Sequence, residues 1–221
     1  MFHLYHLWLS PSSRMVRLLL NELRLPFDLH IERTWERREA FLRMNPAGDV
    51  PLLVDDNIPI VGPRAISEFL IEQSNEQSLI GYDPHTRAEI RRLCDWFDLK
   101  FNHDVVQMVV DEKIMKRFLG KGTPNSNNIR SGIRNLSIHL NYIQWLTQRR
   151  VWLASERMTL ADLTAAAHIS CLDYVGCIAW DHFPDAKNWY ARLKSRPSFK
   201  SLLQDYIPGV KPPDYYTDLD F

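Results

Sequence analysis

The stretch best suited to ligand binding is Asn45-Pro46-Ala47-Gly48-Asp49-Val50-Pro51-Leu52-Leu53-Val54, where two prolines and a glycine precede a predicted strand. Because proline has no N–H to donate, a proline beside a strand that must still form pairs needs a special backbone geometry. A cis bond between Val50 and Pro51 would turn the main-chain groups of Val50 away from the sheet, where an extended peptide could pair with them. The alternative is an ordinary loop.

Serine hydroxyls form the second candidate site. Ser10-Pro11-Ser12-Ser13 stands immediately before residues that share one apolar helical face, namely Met15, Val16, Leu19, Leu20 and Leu23. Hydroxyl side chains and proline are typical of helix starts, because the hydroxyl accepts a hydrogen bond from a free N–H group of the first turn. Capping therefore explains Ser10 and Ser12 without any catalytic role.

Metal and disulfide sites are not predicted. The three cysteines lack CxxC spacing, so they indicate neither a zinc site nor a disulfide framework and favour a reducing compartment. His3 and His6 are three residues apart on a predicted strand and should point to opposite faces. We therefore expect no bound metal.

Composition indicates an ordinary globular protein. The chain has 221 residues, 27 Lys plus Arg against 27 Asp plus Glu, and 45% apolar residues. Such a chain can bury a sizeable core, and its zero net charge argues against nucleic acid as a partner. No leader or membrane-spanning window is recognisable, so we expect a cytoplasmic protein without direct membrane insertion.

Short strands and amphipathic segments alternate over residues 1–78 and predict an α/β domain. The predicted elements are strands Phe2–Leu7 and Phe27–Ile31, a helix Trp35–Met44, and a hairpin that joins Leu52–Val54 to Ile58–Val61. Residues 85–208 read as helical throughout. There Thr159-Leu160-Ala161-Asp162 has capping-box spacing, and the apolar run that follows predicts a buried central helix with His168 as a core histidine. Residues 209–221 form a separate tail.

Three motifs resemble the cytosolic glutathione transferase superfamily: Leu9–Arg17, Asn45–Val54 and Met158–Asp162. The resemblance implies a thioredoxin-like N-terminal domain, an all-α C-terminal domain, a two-fold dimer, and a ligand cleft where Pro51 is cis. It also implies that a hydroxyl beside the sulfur of glutathione would favour the thiolate, and Ser10 or Ser12 fits that position. A serine-type glutathione S-transferase acting on small electrophiles is therefore one possible function.

The anchor for the γ-glutamyl carboxylate argues against that activity. Where glutathione-binding relatives carry Glu/Gln-Ser, this chain has Gly62-Pro63. Two hydrogen bonds to a charged group, at about 1.5–3 kcal/mol each, would be lost, which weakens binding by roughly two to four orders of magnitude. We expect weak or absent glutathione binding and no cofactor. Arg64 follows in the predicted cleft, and we expect its side chain to be solvated.

Two further segments resemble a family of transferase-like division proteins of alphaproteobacteria, which bind filaments of the tubulin homologue FtsZ. One is Trp35-Glu36-Arg37-Arg38, and the other is the tail from Pro212 to Phe221. The resemblance implies a non-enzymatic protein at the division site that curves or bundles FtsZ filaments. Trp35 with Arg37 and Arg38 could contact an acidic partner, or Trp35 could pack against its own helix.

The tail combines acidic and apolar residues after two prolines that prevent a regular helix. Its candidate contacts with a further division factor are Tyr215, Tyr216, Asp218, Leu219, Asp220 and Phe221. Aromatic residues beside acids suit capture by a basic or aromatic-lined groove, and we favour this interpretation. The alternative is a tail that folds back on its own helical domain.

Overall fold

The structure is a computed structural model that describes residues 1–219, so Asp220 and Phe221 lie outside the described part. A four-stranded sheet with the order β2-β1-β3-β4 forms the N-terminal half. In this sheet β1 is parallel to β2 and antiparallel to β3, which pairs antiparallel with β4. Its strands are β1 (Phe2–His6), β2 (Phe27–Ile31), β3 (Leu52–Asp55) and β4 (Ile58–Val61).

Most of the remaining regular structure in residues 1–219 is helical. In chain order the helices are α1 (Pro11–Glu22), α2 (Glu39–Met44), α3 (Pro63–Ser74), α4 (Pro84–Asp95), which continues as a π-helical segment Trp96–Met115, α5 (Lys116–Phe118), α6 (Ser126–Thr147), α7 (Leu160–Tyr174), α8 (Pro184–Lys194) and α9 (Lys200–Leu203). The predicted architecture, a thioredoxin-like α/β domain followed by an all-α domain, is thus observed. None of the helices in residues 1–219 has the length and apolar character to cross a membrane.

Helix α7 is the centre of the helical domain, as predicted. It is buried from Ala161 to Tyr174, because helices pack around it and α1 covers one side. The capping box is present: the N–H of Thr159 donates to the Asp162 carboxylate at 2.9 Å, and Trp189 Nε1 donates to the same group at 3.0 Å. His168 is a hydrogen-bonded core residue, with Nδ1 2.9 Å from the carbonyl oxygen of Thr164.

The predicted helix Trp35–Met44 is wrong in its first part. Thr34–Glu36 is a single 3-10 turn, Arg37 has a left-handed backbone with φ of 46°, and α2 begins only at Glu39. A left-handed residue cannot continue a right-handed helix, so the chain changes direction here. Arg37 therefore stands at an exposed corner.

Candidate functional site

The predicted serine site lies at the start of α1. Ser10 is the N-cap, and its Oγ accepts a hydrogen bond from the N–H of Ser13 at 3.3 Å, with Pro11 in the first helical turn. Ser10 and Ser12 are half-buried, whereas Ser13 is buried and its Oγ makes no hydrogen bond within the described residues. Capping accounts for Ser10 without a ligand.

The second predicted cleft segment, at Val50 and Pro51, also has the expected backbone geometry. The Val50–Pro51 peptide bond is cis, as predicted, and Val50 is half-buried. The carbonyl oxygen of Pro51 accepts a hydrogen bond from the N–H of Gly62 at 3.3 Å. The fold thus brings together two predicted cleft segments that are about ten residues apart in the sequence.

The anchor position has no group that could bind a carboxylate through a side chain. Gly62 has φ of 89° and ψ of 146°, and a Cβ placed there would meet no atom within 4 Å. The space exists, but this backbone conformation strongly favours glycine. Pro63 occupies the first turn of α3 and has no N–H to donate. The backbone geometry therefore reinforces the loss that the sequence indicates.

Arg64 was expected to be solvated, and this is only half right. Its side chain is half-exposed, but its guanidinium donates to the carboxylate of Asp95 at the end of α4. The pair joins α3 of the sheet domain to the helical domain. Arg64 therefore bridges the two domains through an ion pair in which both side chains stay about half-exposed.

A small cavity of about 50 Å³ lies beneath this ion pair, between α1, α3, α4 and α7. Its lining includes Met15, Ser67, Ile90, Cys94, Asp98 and Thr164. Oδ1 of Asp98 is buried without a hydrogen bond in the described residues, and Nε2 of His168 is 3.7 Å away. Burial raises the pKa of Asp98 to about 7, against the opposing effect of Arg64 and with a contribution from Asp95. Burial also lowers the pKa of His168 to about 4, so the histidine does not neutralise Asp98 at pH 7.

Asp98→Asn is expected to stabilise the protein above pH 7. The folded-state pKa of Asp98, about 7, is above the unfolded value of about 3.9, so the stability of the parent falls as pH rises between these values. The variant stays neutral and escapes this loss, which we place at about 1–3 kcal/mol. Urea unfolding from pH 5 to pH 8 measures the difference, with exposed Asp181→Asn as control. Parallel curves for Asp98→Asn and the parent would contradict the prediction.

Trp35 is half-buried and contacts the helical domain. Its ring stacks on Phe118 at 6.0 Å, and Phe118 also contacts Trp8 at 5.7 Å. Nε of Arg38 donates to the buried carboxylate of Glu32 at 3.1 Å. Arg37 and Arg38 are both exposed, and Arg38 is held in the ion pair with Glu32. Of the two exposed cations in this segment, Arg37 is therefore the one without an ion pair in the described residues.

The position of Tyr216 contradicts our prediction that this tail residue contacts a partner. It is fully buried, its ring packs edge-on against Tyr174 at 5.1 Å, and its hydroxyl donates to the carbonyl of Leu202 at 3.1 Å. Burial raises its pKa to about 12. Tyr215 is half-buried, and its carbonyl accepts a hydrogen bond from Lys194 at 3.3 Å. The alternative of a tail folded back on its own domain is thus correct for Tyr216.

The end of the tail remains a candidate contact. Asp218 and Leu219 are exposed, and Leu219 keeps 42% of its surface accessible. Our predictions for Asp220 and Phe221 concern residues outside the described part of the chain. A partner could reach the tail beyond Thr217 without disturbing the buried tyrosine.

Sequence reasoning missed the network that holds Tyr216. Arg14 is fully buried, and it donates to the Tyr216 hydroxyl at 3.3 Å, to Ser170 at 2.9 Å and to Asp205 at 3.0 Å. Arg17 donates to the same Asp205 carboxylate at 2.9 Å. No spacing in the sequence connects these residues, although two arginines within a predicted apolar helical segment were a hint that they needed partners.

No cluster of three or more His, Cys, Asp or Glu side chains in residues 1–219 is arranged to hold a metal ion. Cys94 lines the small cavity, but burial raises the pKa of its thiol to about 12, so it is a poor nucleophile. The described arrangement offers a hydroxyl-lined helix start and a cis-proline turn, without a group that binds the substrate's charged end.

Comparison with known proteins agrees with this geometry. Residues 4–78 match the glutathione S-transferase N-terminal domain, and residues 134–197 match the C-terminal domain of the same family. FtsZ-localized protein A of Caulobacter vibrioides is 47% identical over 99% of this chain and 97% of its own length. The chain belongs to the glutathione S-transferase superfamily.

Two similar solved structures have different names: one is called a glutathione S-transferase and the other is called FzlA. A glutathione S-transferase from Rhodospirillum rubrum has 49% identity and a TM-score of 0.96, with all of both chains covered. FzlA from Caulobacter crescentus has 46% identity and a TM-score of 0.96, covering 100% of this chain and 99% of its own. Such similarity establishes the glutathione S-transferase fold, but fold does not decide whether the protein is an enzyme or a binding protein.

Proposed function

We propose that this chain is a non-enzymatic division protein that binds FtsZ filaments and curves or bundles them on a glutathione S-transferase scaffold. The observation that carries most weight is the α3 N-terminus, where Gly62 has a conformation that strongly favours glycine and Pro63 lacks an N–H. A glutathione S-transferase that lacks the anchor for the γ-glutamyl carboxylate is expected to bind glutathione too weakly for its reaction. The full-length similarity to a protein named for its FtsZ localisation supports a division role.

The proposed partner surface centres on the corner at Arg37. Exposed Arg37 follows a turn in which Arg33 pairs with Glu36, and Arg38 pairs with the buried Glu32, so the corner carries an accessible cation between two ion pairs. An acidic filament surface would complement it. The tail beyond Thr217 would contact a further division factor, and a two-fold dimer would link filaments by presenting two such surfaces.

Co-sedimentation with GTP-assembled FtsZ tests the proposal. The parent is expected to pellet with the polymer in a saturable way, and Arg37→Glu is expected to weaken this association about threefold to tenfold, because a rim charge is reversed. Arg157→Glu reverses another exposed charge, in the helical domain, and should pellet like the parent. A parent that stays in the supernatant over a broad concentration range would refute FtsZ binding.

The second candidate is a serine-type glutathione S-transferase acting on small electrophiles. Ser10 at the N-cap of α1 and cis Pro51 are the observations in its favour, since the family resemblance implies a hydroxyl at this helix start and a cis proline in the ligand cleft. In that function Ser10 or Ser12 would polarise the thiol, and Val50 would pair with the peptide part of the substrate.

Calorimetry with glutathione separates the two functions. We expect no saturable heat below millimolar concentration, because two hydrogen bonds to a charged carboxylate are missing at Gly62-Pro63. Ser10→Ala is then expected to leave any residual turnover of a small electrophile unchanged. Micromolar binding of glutathione, or turnover that collapses in Ser10→Ala, would favour the transferase.

A further inference from the structure

Two histidines from neighbouring strands meet on one face of the sheet. In the parallel register of β1 and β2, His3 lies beside Asp28, and His30 follows Asp28 by two positions. Because side chains alternate along a strand, all three are on the same face. Nδ1 of His3 lies 3.1 Å from Nε2 of His30. The sequence compared His3 only with His6, which is on the other face and buried, whereas the fold pairs His3 with a histidine of the next strand.

The separation of the two nitrogens suits a shared metal ion. An imidazole nitrogen binds Zn²⁺ at about 2.0–2.1 Å, so two such nitrogens are about 2.9 Å apart at a right angle and about 3.3 Å apart at a tetrahedral angle. The separation of 3.1 Å between His3 and His30 is within this range. Without an ion, one ring donates an N–H to the other, and this hydrogen bond is the alternative explanation of the contact.

Packing orients the ring of His30. It stacks on Tyr5, with ring centres 5.0 Å apart and planes at 25°, and Tyr5 in turn contacts Phe41 of α2 at 5.8 Å. The ring of His3 lies beside it, with centres 5.3 Å apart. A ligand group that is already held in place loses little conformational freedom on binding. The histidine pair is therefore preorganised by the register and by the aromatic contacts.

Asp28 adds a negative charge at the same place. Its Oδ2 is 3.7 Å from Nδ1 of His3, and the side chains of Asp28 and His3 are 51% and 46% exposed. The carboxylate favours a cation beside the two rings, and such outer groups strengthen metal binding by histidine. Because the side chains are half-exposed, water can reach an ion here and complete its coordination.

We propose that His3 and His30 form a surface binding site for a late divalent transition-metal ion, with water in the remaining positions and Asp28 as the nearby countercharge. Imidazole suits Cu²⁺, Ni²⁺ and Zn²⁺, and the general order of affinities places Cu²⁺ first, whereas Mg²⁺ prefers oxygen ligands. Two protein ligands make a reversible site, and this agrees with the finding that residues 1–219 contain no metal-binding cluster of three or more such side chains. The site is independent of FtsZ binding.

Titration with the iminodiacetate complex of Cu²⁺ is the first test, because this chelate leaves two adjacent positions of the ion open for a histidine pair. The full chain is expected to bind one equivalent in a saturable way. His3→Ala and His30→Ala are each expected to weaken binding at least about 10-fold, since each removes one of two ligands. His85→Ala removes an exposed histidine of α4 and, as the matched control, should bind like the parent.

The His30→Ala variant decides between two modes of binding. A variant that binds as tightly as the parent would show that His3 holds the ion with neighbouring main-chain nitrogens, without the second strand, and would overturn the proposal. Electron spin echo modulation of the bound Cu²⁺ counts the imidazoles directly. We expect two in the parent and in Asp28→Asn, which should bind more weakly, and one in any complex that His30→Ala still forms. A single imidazole in the parent would also overturn the proposal.

An ion that joins β1 to β2 should also stabilise the folded chain, because binding to the folded state alone shifts the unfolding equilibrium. The thermal midpoint of the parent is expected to rise with the concentration of the Cu²⁺ chelate and to stay constant with Mg²⁺. His30→Ala should be folded by circular dichroism and should show little or no rise. A parent midpoint that does not respond to the chelate, or equal rises in the parent and His30→Ala, would mean that the histidine contact is only a hydrogen bond.

Discussion

Asp205→Asn is expected to lower the free energy of unfolding by about 3–5 kcal/mol, because it removes the only carboxylate that the two buried guanidinium groups of α1 contact in the described part of the chain. Arg14 and Arg17 side chains are 0% and 2% exposed, and each lies within 3.0 Å of Asp205. Taking one partner from a buried ion pair leaves the other charge without compensation. Asparagine keeps the shape of the side chain but not its charge.

Urea unfolding measures this effect as a lower midpoint at an unchanged slope. Asp214→Asn is the matched control, since its side chain is 92% exposed and pairs with Lys211, which is 84% exposed, and we expect a change below about 0.5 kcal/mol. An Asp205→Asn variant as stable as this control would mean that Arg14 and Arg17 are compensated by another group.

Tyr216→Ala is the second change with a large expected effect, about 3–5 kcal/mol of destabilisation. The substitution empties a fully buried site against Tyr174 and removes the hydroxyl that accepts from Arg14 and donates to Leu202. Tyr216→Phe keeps the ring and loses only the hydroxyl, so we expect a smaller loss of about 1–2 kcal/mol. The difference between the two variants separates packing from hydrogen bonding.

Tyr206→Ala is the control for this prediction. Tyr206 is also close to the C-terminus, but it is 77% exposed, and its removal should change the unfolding midpoint little. Equal midpoints for Tyr216→Ala and Tyr206→Ala would show that the tail is not anchored in solution. The measurement is the same urea titration.

The buried tyrosine also decides how the tail should be truncated. A chain that ends at Pro213 loses Tyr216 and leaves Arg14 with one hydrogen-bond partner fewer, so it combines a loss of stability with a loss of partner contacts. A chain that ends after Thr217 keeps the anchor and removes only the exposed end. Comparison of these two chains in a pull-down separates recruitment by the tail from destabilisation of the fold.

Much of the fold could be predicted because short sequence patterns specify its strands and helix starts. The strand Phe27–Ile31 agrees with the structure at both ends, and the capping box at Thr159 begins α7 as predicted. In both cases the determining residues are within a few positions of one another. The cis bond at Pro51 is confirmed, and it was expected from the family resemblance of the short motif around it.

The candidate site was predicted less completely. The sequence placed Ser10, Pro51 and Gly62 in one cleft through a family resemblance, and the hydrogen bond between Pro51 and Gly62 agrees with that. It did not indicate that Arg64 pairs with Asp95 or that Trp35 stacks on Phe118. These partners belong to the other domain, and no local periodicity relates them.

The sequence by itself determined the change from an α/β to a helical domain, the strands and most helices, since these depend on residue type and short spacing, whereas the expected loss of the γ-glutamyl anchor came from the family resemblance. Only the tertiary structure decided that Tyr216 is an anchor and that Asp98 has a raised pKa. Arg14 and Tyr216 are 202 positions apart in the sequence, and burial is a property of everything that surrounds a group. Such effects arise only when distant segments pack, because the cost of an unpaired charge depends on its neighbours in space.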